Sequence, residues 1–140
     1  MSGYTVDCVK LTHRGALALI EAAIAKATAM GVPQCIIVTD ASGEVLASVR
    51  MDGAKYLSLR TAHAKARTAA SSNAPTGALG NEAALAASLT AKGAMTVLKG
   101  GLPIRFGGRL AGAIGVGSGT GDEDVEVGRA ALAAIGADQI

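Results

Sequence analysis

With 140 residues, half of them hydrophobic, and a formal charge of +2, the chain has room for one core and no surplus of cations to hold a polyanion. Aromatic residues make up 2% of it, with one Phe and no Trp, so a base-stacking surface is excluded along with nucleic-acid binding. The core must instead come from Ala, Leu, Ile and Val, whose small area per residue favours burial of further surface in a homo-oligomer.

The opening "MSGYTVDCVKLTHRG" has no charged region followed by an apolar one, and no later run approaches the ~20 apolar residues that cross a bilayer. Cys8 and Cys35 form neither a CxxC pair nor a zinc-ligand spacing. These features predict a reduced, cytoplasmic protein with a single domain over residues 1–140.

Thr12 caps a predicted helix that runs to Met30, with Gly31 after its end and Leu17, Ile20, Ile24 and Ala27 as its apolar stripe. "CIIVTD" (35–40) reads as a buried strand, "ASGE" as a turn, and "VLASVRM" (45–51) as the returning strand of a hairpin. A helix follows over 58–71, then a loop through "NAPTGALG". A second helical stretch, "NEAALAASLTAKGAMTVLKGG", is interrupted by Gly93, which leaves its end open. "LPIRFGGRLAGAIGVGSG" gives two strands about Gly107 and Gly108, and "DEDVEVGRAALAAIG" a last helix with carboxylates in its first turn, where the helix dipole favours them. Helix, hairpin, helix, helix, hairpin, helix defines an α+β domain with antiparallel pairing and disfavours a doubly wound nucleotide fold.

Several residues stand out chemically. On the helix holding "RTAHAKARTAA", Arg60, His63 and Arg67 share one stripe, which reads as a solvated face, while Lys65 lies roughly 160–200° away among small residues. A buried lysine either snorkels to water along its stem or addresses a pocket, where a lowered pKa suits proton transfer. Thr61 and Thr68 flank it. Arg50 and Asp52 point to one side at a strand end, as a surface ion pair or as an anchored arginine for a carboxylate ligand. His13, just after its helix cap, reads as exposed or as a metal or haem-iron ligand. "GAIGVGSGTGDED" matches neither phosphate-loop spacing; close strand packing and a mobile lid are the remaining readings of its glycines.

"VTDASGEVLASVRMDGA", "AHAKARTA", "GGLPIRFGGRLAGAIGVGSG" and the acidic start of the last helix together resemble the GlcG/HbpS family, which includes the C-terminal domain of PduO-type proteins. The resemblance runs from about Leu11 to Leu132. It implies a profilin-like antiparallel sheet flanked by helices, oligomers from dimers to octamers, and in some relatives haem binding, linked to haem degradation or redox sensing. The shared pattern covers Arg50, Met51, Asp52, Gly53, Lys65, Thr68, Gly101, Pro103, Ile104, Gly112, Gly115 and Asp124. The glycine after Val116 departs from the serine common in relatives.

Two functions follow. In a binding protein, Arg50, Asp52, Lys65, Thr68 and Gly115 line a site for haem or another planar anion, with His13 on the iron. In an enzyme for a small oxo- or hydroxy-acid, an isomerase, hydratase or lyase, Arg50 holds a carboxylate while Lys65 or Asp124 moves a proton. An accessory protein without ligand chemistry is the third reading. Binding is favoured because the residues form no complete catalytic set.

Overall fold

The computed structural model describes residues 3–78 and 82–140. Helix α1 (His13–Met30) starts where the Thr12 hydroxyl accepts from the Gly15 N–H, and ends where Gly31 takes up φ 70 and donates back to Ala27 and Thr28. The expected stripe is rotated, however. Ala16, Leu19, Ile20, Ala23 and Ala27 are buried, while Leu17 is 53% exposed. Fully enclosed alanines carry the packing that the sequence pattern had assigned to a larger side chain.

Strands β1 (Cys35–Asp40) and β2 (Val45–Arg50) form the first hairpin, and β3 (Gly101–Phe106) and β4 (Arg109–Gly117) the second. β1 also pairs antiparallel with β4, so the sheet order is β2-β1-β4-β3. Pro103 can sit in β3 because that strand is an edge. The result is the profilin-like α+β architecture expected from the sequence.

Alternation along the strands separates two cores. Ile36, Val38, Leu102, Ile104, Ile114 and Val116 face α1 and α4 (Gly121–Ala134) in the larger one. Cys35, Ile37 and Ala113 face α2 (Ser58–Ser72), whose Ala62, Ala66, Ala69 and Ala70 complete a thin second core. α2 lies almost on the sheet because Gly115 has no side chain there: a methyl group would enter the contact radius of the Ala62 carbonyl oxygen, and one on Gly101 that of the Lys65 carbonyl oxygen. Close strand packing is therefore what this part of the glycine-rich segment does.

Helix α3 (Glu82–Thr90) ends well before Gly93, which adopts φ 80, and the chain through Lys99 is not helical. Asn81, the expected start of this stretch, lies outside the described residues. Only Ala84 of α3 is buried. Among the described residues, no helix is long and apolar enough to cross a membrane.

Gly115→Ala should cost more than about 3 kcal/mol of stability in urea unfolding, since backbone and not a mobile side chain blocks the methyl group. Gly107→Ala, in the open β3–β4 turn at φ 58, should cost only about 1 kcal/mol.

Candidate functional site

Lys65 is 4% exposed and Asp124 1%. The Lys65 Nζ lies 2.9 Å from Asp124 Oδ2 and donates to the Val116 carbonyl oxygen at 2.8 Å. α2 and α4 belong to opposite faces of the sheet, so this contact ties the outer layers together past the end of β4. Gly100, at φ 126, makes room: a methyl group there would stand 2.9 Å from Nζ. Asp124 Oδ1 accepts from the Gly119 N–H, which also donates to Gln34 Oε1. Burial pushes the Asp124 carboxyl above the usual carboxylate range, opposed chiefly by Lys65 and less by Gly119 and Gln34. The Gln34 amide nitrogen is buried without a hydrogen-bond partner.

The two residues named as proton carriers are thus each other's counter-ion. The Gly119 N–H, in the glycine-rich loop after β4, is engaged by Asp124 and Gln34. The acidic first turn of α4 serves a capping box: Thr120 Oγ1 accepts from Glu123 N, and Glu123 Oε1 from Thr120 N.

The remaining candidates are dispersed. Arg50 and Asp52 are exposed, with no ion pair between them among the described residues. Arg50 stands near Cys35, whose thiol is raised by burial and partly restored by that cation. Gly115 is covered by α2. His13 is exposed at the start of α1, across the sheet from α2. Among the described residues, no group of three His, Cys, Asp or Glu side chains is arranged to hold a metal ion.

Thr68 alone of these residues lines a cleft. Its hydroxyl donates to the Ala64 carbonyl at 2.7 Å and accepts from Thr96 N–H at 3.0 Å, drawing the segment after α3 over α2. Between that segment, α2 and the β1–β2 turn lies a cavity of about 600 Å³, lined by Ser42, Gly43, Arg67, Thr68, Ala94 and Met95 among others. Arg67 and Ala94 also border a smaller cavity of about 220 Å³, which holds Arg60, His63 and Lys92. The stripe read as a solvated face is therefore partly roofed, and the His63 Nε2 is buried without a hydrogen-bond partner. Sequence periodicity revealed the stripe, but the roof comes from the non-helical residues 92–94, which periodicity does not describe.

An antiparallel sheet between two helical layers, with a cleft outside the alanine-rich layer, defines a small three-layer α+β domain of the profilin-like class. The family model described as "Haem degrading protein HbpS-like" matches residues 11–133, and the chain belongs to that family. It is similar to the crystal structure of Klebsiella pneumoniae ORFY, with 26% identity, 99% of each chain covered and a TM-score of 0.88. A PduOC:heme complex is 26% identical over 94% of this chain and 99% of that one, with a TM-score of 0.86. A double mutant of Streptomyces reticuli HbpS is 34% identical over 95% of this chain and 92% of that one, with a TM-score of 0.82. No curated protein matches the chain.

Lys65→Met should destabilise the protein by about 3–5 kcal/mol at neutral pH, because it strands a buried carboxylate. Without Lys65, the folded-state pKa of Asp124 stands further above its unfolded value. Its contribution is then intact below the unfolded carboxylate range and lost as pH rises through the folded value. The gap from wild type should widen from pH 5 to pH 8 in denaturant titrations, and Lys65→Met/Asp124→Leu should recover much of it.

Proposed function

We propose that the protein is a small-ligand-binding member of the HbpS-like family and that the ligand is haem or another planar anion, seated in the cleft over α2. The observation that carries this reading is the cavity of about 600 Å³ with apolar and hydroxyl-bearing walls, opening beside cations. The residues suit haem in two respects: Ala41, Ala91, Ala94 and Met95 offer apolar surface, and Arg67 stands where a propionate would need a partner. The heme complex of the PduOC relative supports the same ligand class.

Met95, on the cleft wall, would offer its thioether to the iron. His13, across the sheet, would serve only a haem bound elsewhere or shared between subunits. Haem would supply an iron centre that changes oxidation state; Arg67 and Met95 would bind and orient it, and the segment that Thr68 tethers would exclude water from one side. Catalysis on a small acid is the weaker reading, because Lys65 and Asp124 neutralise each other and neither lines this cleft. A cytoplasmic location belongs to the same proposal.

A homo-oligomer is part of the proposal too. Leu85 and Leu89 on α3 are 61% and 72% exposed, and Leu98 beyond it 53%, apolar surface that a second copy of the chain would cover.

Haemin titrated into freshly purified protein should give a saturable Soret shift, and native mass spectrometry should find the haem mass on the oligomer. Met95→Leu should alter the band while His13→Ala leaves it unchanged. A band lost only in His13→Ala would move the site away from the cleft, and no saturable band would reject haem. Leu85→Glu/Leu89→Glu should reduce the mass measured by light scattering to that of a smaller assembly.

A further inference from the structure

The smaller cavity beside the cleft has a distinct chemistry. Arg60, His63 and Arg67 descend one face of α2 at i, i+3 and i+7, and Lys92 approaches them from the turn after α3, where it holds the left-handed conformation at φ 55. Two separate parts of the chain therefore deliver cationic side chains to one space of about 220 Å³. None of its lining residues is acidic. Among the described residues the ion pairs are Lys65–Asp124 and Lys99–Asp122, so Arg60, Arg67 and Lys92 have no carboxylate partner there.

Arg60 and Arg67 stand two turns apart on one face of α2, and drawing Lys92 toward them gathers three cations without a counter-ion. The His63 Nε2 is moreover shut off from solvent with nothing to bond to, an arrangement that leaves a buried polar atom unsatisfied. A bound oxyanion would accept from the two guanidinium groups and the ammonium, neutralise the three cations and lie against the His63 ring, which lines the same cavity.

We infer that the cavity formed by Arg60, His63, Arg67 and Lys92 is an oxyanion-binding subsite that receives a carboxylate or phosphate group of the ligand. The inference rests on the ligand-binding reading of the adjoining cleft and deepens it by naming the group that enters this end. Arg67 borders both cavities and joins the anionic subsite to the apolar one. The ligand class is then an organic acid or phosphate ester whose remaining body lies along Thr68 and Met95.

The test uses the two histidines as reporters. Untagged, ¹³C-histidine-labelled full-length protein is titrated with inorganic phosphate, and separately with succinate, at ionic strength held constant with sodium chloride. His13→Gln assigns the two imidazole resonances. The His63 signal should move saturably with at least one of the two probes while the His13 signal stays in place. Arg60→Gln and Lys92→Gln should each weaken that binding by about 3- to 10-fold with folding preserved by circular dichroism. Preference for succinate assigns the subsite to carboxylates, and preference for phosphate to phosphate esters. A His63 shift that fails to saturate with either probe, or equal affinity in both variants, overturns the inference. Since no haem is present, that failure would leave the haemin titration standing, and a failed haemin titration would leave a positive anion result intact.

Discussion

The three-layer arrangement depends on a lysine and an aspartate that meet past the end of the central strand β4. Lys65 leaves the alanine-rich layer and Asp124 the layer of α1 and α4, and their contact at 2.9 Å fixes the separation of the two. A buried pair of this kind adds little net stability over apolar side chains of the same volume, because desolvation offsets most of the attraction. What it does impose is register. The Nζ also holds the Val116 carbonyl and the carboxylate holds the Gly119 N–H, so α2, β4 and the start of α4 cannot shift independently. Gly101 and Gly115 complete the constraint by leaving no side chain where the α2 backbone comes closest to the sheet, and Gly100 by leaving room for the Nζ.

Once α2 is seated so closely, its opposite face becomes the place where a ligand can be held. One side of the helix is spent on Ala62, Ala66 and Ala69 against the sheet. The other carries Arg60, His63 and Arg67, and the segment after α3 is drawn over it by Thr68. Thr68 thus belongs to the cleft through its backbone-tethering hydroxyl more than through any contact it offers a ligand. The division between a rigid floor and a covering segment attached by few bonds is common where a site must admit a molecule.

The elements were legible in the sequence where their ends carry local chemistry: Thr12, Gly31 and the acidic first turn of α4 act within a few residues of the boundaries they mark, whereas the Thr120 cap emerged only from the structure. The inward direction of Lys65 was legible too, since helical geometry alone turns it away from Arg60 and Arg67. Its partner was not, because Asp124 lies 59 residues away and only the tertiary fold joins them. Spacing therefore offered Lys65 as a ligand contact when the structure spends it on a counter-ion. The α1 stripe was misphased for a different reason. Hydrophobic pattern weights leucine above alanine, whereas a core this poor in aromatics is filled by alanines that allow backbones to approach.

His63 shows how far such reasoning extends. Its position between two arginines argued for solvent, and on an isolated helix that would hold. Here a left-handed lysine and a glycine in the following turn bring a second segment against the helix, and Nε2 loses its water without gaining a partner. An unpaired buried polar atom is costly for the fold on its own. The three cations gathered beside His63 without a carboxylate partner are what a bound anion would neutralise.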